Sequence, residues 1–203
     1  MDQMALGLVS TAAAALCGLN VVQRRALYAA RHDPLTGLAS RHLWTAHAEH
    51  AARQPHGLVV VLVDGDGVKR TNDRFGHEAG DALINALARR LEDWTDRRGE
   101  ACRLGGDELV AYVRLPRSLR LSEQLDVLSG ELSAPVQYRQ TWLPASASVG
   151  AAVVGDMPQP TLHRAMRAAD EAMYQAKRAG GGAWRLAEDC AERTAVNVRC
   201  DAI

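Results

Sequence analysis

Lysine is nearly absent from this chain. Of 24 basic residues only Lys69 and Lys177 are lysines, which leaves 22 arginines. Alanine is also abundant, so a GC-rich coding bias accounts for the preference. Against that background each lysine is informative, because lysine is the compact point charge that often meets phosphate. Net charge is missing too, 24 acidic residues balancing the 24 basic ones. The chain therefore lacks the broad positive footprint of a nucleic-acid binder, and no nucleic-acid partner is expected. Cysteines are few: Cys17, Cys102, Cys190 and Cys200 fall without metal-ligand spacing and imply neither a zinc site nor a disulfide framework. Cys190 and Cys200 could pair, but reduced thiols are the expected state. There is no internal repeat and no low-complexity block. The 203 residues suit one compact domain plus extras.

One long uncharged run is present. Residues 4–22, "MALGLVSTAAAALCGLNVV", hold 19 residues, about the length that crosses a bilayer core. Asp2 precedes the run and Arg24, Arg25 and Arg31 follow it, which would leave the rest of the chain in the cytoplasm. The start lacks the basic residues of a signal peptide. A single-pass anchor at the inner face of the cell membrane is expected, with a buried or dimer-forming helix as the alternative, since Ser10, Thr11 and Asn20 keep its hydrophobicity modest.

"HDPLTGLAS" (32–40) breaks that first helix, and Ser40 is placed to cap a helix over 41–53. "LVVVLVD" (58–64) is a continuous apolar run, hence a buried central strand. A short helical turn is expected near 68–74. The spacing of Ala82, Leu83, Ala86, Leu87 and Leu91 predicts a helix over 79–97. "ACRL" and "ELVAYV" read as a hairpin around "GGD", and 118–132 as a helix. Two strands are expected in "VQYRQTWLPASASVGAAVV", then an amphipathic helix ending at a Gly stop and a last edge strand at "AWRL". The domain thus runs over 32–187, behind the hydrophobic helix of 1–31. The polar tail 188–203 has no period and is expected to be disordered.

The chemistry gathers at the end of the buried strand. Acidic residues there are costly unless they bind something. Asp64 and Asp66, two apart, would share a face on a continuing strand, and Gly65 lets backbone approach closely. With Asp107 and Glu108 from the hairpin they form a carboxylate cluster suited to Mg²⁺, which favours hard oxygen ligands and the phosphates of a bound substrate. Each Asp taken singly reads as a turn or capping residue; the set as a whole does not.

Five pieces in order, "DPLTGL" (33–38), "DGDGVKRTNDRFGHEAGD" (64–81), "RLGGDEL" (103–109), "ASVGAA" (147–152) and "RAADEAMYQAKRAG" (167–180), resemble the GGDEF domain of diguanylate cyclases. The resemblance implies an α/β (α+β) palm-like nucleotidyl-cyclase fold, with a central mixed, mainly antiparallel sheet flanked by helices. It also implies condensation of two GTP into cyclic di-GMP and pyrophosphate by an antiparallel homodimer. By position, Asp64, the Gly65 carbonyl and Asp107 resemble the ligands of Mg²⁺, or of Mn²⁺ in its place. Asp107 matches the proton acceptor, Glu108 completes the signature, and Lys69 and Lys177 match phosphate contacts. Asn72 and Asp81 match the guanine readers, since an amide donates and accepts and a carboxylate accepts from guanine N–H groups. His77 matches a further substrate contact, and Gly105 and Gly106 let the hairpin backbone lie against nucleotide.

The pattern departs from the family in four places. Val68 stands where an aromatic is common, and Leu109 replaces the signature's last Phe. Gly181 stands where the family has an Arg that grips terminal phosphates, which implies weaker GTP binding. The RxxD product-inhibition pair is missing, its positions being Asp96 and Gly99. A degenerate module that binds GTP without turnover and acts through protein contacts is the alternative reading.

Overall fold

The computed structural model describes residue 28 and residues 31–116 and 118–187. The expected anchor (4–22) and tail (188–203) lie outside them. Among the described residues no helix is long and apolar enough to cross a membrane.

The chain runs through α1 (Arg41–Ala52), β1 (Leu58–Gly65), α2 (Val68–Phe75), α3 (His77–Thr95), β2 (Gly99–Gly105), β3 (Glu108–Arg114), α4 (Leu121–Ser133), β4 (Val136–Tyr138), β5 (Thr141–Leu143), β6 (Ala147–Val153), α5 (Leu162–Arg178) and β7 (Trp184–Leu186). Five strands form one sheet in the order β2-β3-β1-β6-β7. All neighbours are antiparallel except the β6–β7 pair, so the sheet is mixed and mainly antiparallel as expected.

Every residue of β1 is buried, because the sheet is covered on both faces. Odd-numbered Val59, Val61 and Val63 join a core under α3 and α4. Even-numbered Leu58, Val60 and Leu62 join a second core under α1 and α5. That parity decides where Asp64 goes: it continues the even face, toward α5. At β6 the approach of α5 is so close that a Cβ on Gly150 would lie 2.7 Å from the Met173 Cβ and inside the backbone of Ala169. The alanine-lined face of α5 (Ala165, Ala169, Ala172 and Ala176, all buried) permits this contact.

Ser40 caps α1 as read, its side chain accepting from the Leu43 N–H. Three strands, not two, occupy the stretch after α4. The extra turn at Arg139 has φ +52°, which makes a tight hairpin of β4 and β5 without the Gly or Asn that signals one in sequence. Cys102 is fully buried, and burial above all pushes its thiol up to about 12, so it stays an unreactive packing residue.

Candidate active site

The site begins where β1 runs out. Asp64 is 6% exposed, and its Oδ1 accepts from the Lys177 Nζ at 2.6 Å. Gly65 donates its N–H to the Asp107 carbonyl at 3.1 Å, which pins the end of β1 to the β2–β3 turn. Burial raises the Asp64 carboxyl, and Asp107 and Asp66 add to the rise against the pull of Lys177. Lys177 is raised in turn, first by its hydrogen bond to Asp64. The end of β1 thus concentrates acid around one half-exposed ammonium. Two carboxylates and a strand-end carbonyl are hard donors in excess of the positive charge supplied to them, and this set fits Mg²⁺.

Asp66 stays close enough to Asp64 and Lys177 to act on both electrostatically, but the strand does not continue to it. The strand ends at Gly65, and the Asp66 carboxylate accepts from Ser146 Oγ (3.0 Å), Ser148 Oγ (2.9 Å) and the Gly182 N–H (2.8 Å), Ser148 being the residue opposite Asp64 on β6. Gly65 also has a packing reason. A Cβ there would lie 3.1 Å from Leu87 and Val68 and 3.4 Å from the Asp107 Cβ, so the neighbours pressing on it are the protein's own.

Gly105 (φ +152°) and Gly106 (φ +56°) carry the chain through the turn in conformations that suit glycine, and the space a Cβ would occupy on either is open. The turn is braced from behind. Arg103 donates Nε and Nη2 to the Gly106 carbonyl at 2.9 and 2.8 Å, and its Nη1 lies 3.4 Å from Asp33. Burial alone would raise the Asp33 carboxyl, but the Thr36 N–H and hydroxyl and Arg103 hold it below the ordinary range. Asp33 and Arg103 are therefore positioning residues that the motif reading quoted without assigning a role. An Asp followed three residues later by Thr was the available signal for the local half of the arrangement.

Asn72, His77 and Asp81 gather where α2 meets α3. His77 and Asp81 are exposed on the first turns of α3. Asn72 Oδ1 is buried without a hydrogen-bond partner, a polar atom that a native site does not ordinarily leave unused. It rests on Gly80, where any Cβ would overlap it. Gly80 is a site residue missed in the sequence, since nothing local distinguishes it from an ordinary helical glycine. Gly80→Ala is expected to displace Asn72 with the fold retained, and so to weaken about tenfold the guanine contact that the sequence resemblance assigns to Asn72; GTP titration and circular dichroism check it.

Lys69 is exposed on the first turn of α2 and, unlike Lys177, touches no carboxylate among the described residues. Glu108 pairs across from Asp64 in the β1–β3 register, but its side chain is exposed and lines a groove of about 500 Å³ between α1 and α5. The two apolar departures are core residues: Val68 is 5% and Leu109 1% exposed, so both act on packing.

A mixed sheet flanked by helices, with paired carboxylates at the end of its central strand and a double-glycine hairpin beside them, is the arrangement that the sequence resemblance implies. Residues 30–183 match the family described as diguanylate cyclase, GGDEF domain, and the chain belongs to that family. An uncharacterised 19.3 kDa protein of Streptomyces ambofaciens is 47% identical over 156 residues, 77% of this chain and 83% of that one. Diguanylate cyclase TpbB of Pseudomonas aeruginosa is 33% identical over 78% of this chain but only 38% of its own length. The solved GGDEF domain of TpbB superposes with a TM-score of 0.73 at 30% identity, covering 80% of this chain and 97% of that one. The GGDEF domain of DgcB from Caulobacter crescentus, solved in complex with c-di-GMP, gives a TM-score of 0.68 at 28% identity, over 78% and 94% of the two chains.

Proposed function

We propose that this chain is an active diguanylate cyclase, forming cyclic di-GMP and two pyrophosphates from two GTP in an antiparallel homodimer. The observation that carries the reading is Asp64, buried at the end of the central strand, set against Asp107 and held by Lys177. Asn72 and Asp81 take the guanine edge, with His77 beside them, and the unpartnered Asn72 amide gives the base a reason to enter. Lys69 and Lys177 take the phosphates, Lys177 exchanging Asp64 for them on a side chain that is half exposed. Gly105 and Gly106 leave room for the nucleotide against the hairpin.

In each half-reaction the 3′-oxygen of one GTP bonds to the α-phosphorus of the other. The bond from that phosphorus to the bridging oxygen breaks, pyrophosphate leaves with the electron pair, and the hydroxyl proton passes to Asp107. Asp64, the Gly65 carbonyl and Asp107 would hold Mg²⁺ or Mn²⁺, with Glu108 beside them. A bound ion supplies charge neutralisation on the phosphates and a lowered pKa for the attacking hydroxyl. The chain's own contribution is positioning and fixed electrostatics, the main sources of rate in phosphoryl transfer.

Purified protein incubated with GTP and Mg²⁺ should yield cyclic di-GMP, and Asp107→Ala should abolish it with the fold intact. GTP binding without product at high protein concentration would favour the second reading, a GTP-binding module that acts through protein contacts. One observation favours that module. Gly180, Gly181 and Gly182 all have positive φ, and a Cβ on Gly181 would lie 2.7 Å from the Asp66 carboxylate. The loop in this form has no place for an arginine. Gly181→Arg is accordingly expected not to tighten GTP binding and to cost about 1–2 kcal/mol of stability, read by titration and thermal melting.

Feedback through an RxxD site has no support at Asp96 and Gly99. Asp96 closes α3 in the left-handed region, and a Cβ on Gly99 would overlap the Tyr112 carbonyl. Cyclic di-GMP is expected to bind no more weakly to Arg97→Ala than to the native chain; loss of binding in that variant would restore an inhibitory site there. Tethering by residues 4–22 belongs to the same reading and is checked by separating membrane from soluble fractions.

A further inference from the structure

On the flank of α2 that faces the β5–β6 connection lies a cavity of about 440 Å³, within the usual range of small-ligand pockets. It shares α2 with the candidate active site but none of the residues assigned to that site. Its walls combine two arginines, Arg70 and Arg74, with two aromatic rings, Phe75 and Trp142.

The arginines are uncommitted. Neither makes an ion pair or hydrogen bond among the described residues. Arg74 lies over the Phe75 ring, 5.1 Å from its centroid. Arg70 is laid across Gly67, its Nη2 2.9 Å and Nε 3.2 Å from the place a Cβ would take. The single acid in the wall, Asp66, accepts from Ser146, Ser148 and Gly182 and forms an ion pair with neither arginine. Trp142 is 64% exposed and Phe75 37% exposed, large apolar faces that folding alone has no reason to leave in water. A pair of free guanidinium groups binds phosphate oxygens, and an open indole stacks on a planar base.

From this we infer that the cavity is a second nucleotide site, taking a phosphate on Arg70 and Arg74 and a purine base on Trp142. GTP and cyclic di-GMP both carry that chemistry, and the cavity is separate from the site at which turnover is assigned. The inference does not depend on turnover by this chain.

The test is calorimetric titration of cyclic di-GMP, and separately of GTP, into the full chain carrying Asn72→Ala, which weakens guanine binding at the active site. At least one nucleotide should bind. Its affinity should fall about tenfold in Trp142→Ala and by at least as much in Arg70→Ala/Arg74→Ala, both added to Asn72→Ala. The arm that responds identifies the source: cyclic di-GMP marks a product site and GTP a substrate site. Trp142 is largely exposed, so its replacement should leave the melting temperature unchanged and the result readable. No binding of either nucleotide, or affinities that neither variant lowers, overturns the inference. GTP turnover by Trp142→Ala in the otherwise native chain is measured alongside, so failure of the second site and failure of the cyclase reading are told apart.

Discussion

Asp64→Asn should lower cyclic di-GMP formation by about 10³-fold, yet leave the melting temperature unchanged or higher. Activity falls because the amide cannot replace a carboxylate in holding a cation among the phosphates. Stability is spared because the charge is a burden to the fold. The Asp64 carboxyl is lifted above its unfolded value by burial, with Asp107 and Asp66 adding to it. A group shifted that way contributes stability below its unfolded pKa and loses it as pH rises through the folded one, so near neutrality the ionised form costs stability. Lys177 is shifted in the direction of a favourable pair. Burial sets the two partners apart. The side chain of Asp64 is 9% exposed and that of Lys177 49%, so the desolvation falls on Asp64, and a freed Lys177 turns to water. The difference between variant and native melting curves should also shrink as pH falls into the range where Asp64 is protonated. A fall of several degrees in melting temperature at neutral pH would overturn this account.

Gly150→Ala should be strongly destabilising for a change of a single methyl. The added carbon would enter the backbone of Ala169 and Met173 and lie 2.7 Å from the Met173 Cβ, and backbone does not yield as the end of a long side chain does. Either α5 lifts from β6 or the strand buckles, at a cost of about 3 kcal/mol. Because α5 also carries Lys177, activity should fall with stability. Chemical denaturation gives the first number and the GTP assay the second. Unchanged stability in this variant would mean that α5 does not sit on β6 as described.

The elements were legible where one pattern dominated. The apolar run of β1, the stripe of α3 and the Ser40 cap each follow from local spacing, and the structure reproduces them. The β4–β5 hairpin was not legible, because Arg139 adopts a positive φ that its residue type does not advertise. At the site, the motifs supplied Asp64, Asp107 and Lys177, which the fold brings together. They did not supply the brace from Asp33 to Arg103, which spans 70 positions, or the seat of Asn72 on Gly80. Those contacts arise only when helices and strands pack.

The place of β1 in the sheet has a consequence for the newly made chain. Its two neighbours, β3 and β6, come from the middle and the far end of the domain. During synthesis β1 emerges first and then waits, one edge unsatisfied, until residues 147–153 have left the ribosome. A nascent chain stopped short of β6 therefore presents an apolar strand with an open edge, the form most prone to pair with another chain. Lys177 arrives later still, so the negative end of β1 gains its counter-charge only after the sheet has closed around it.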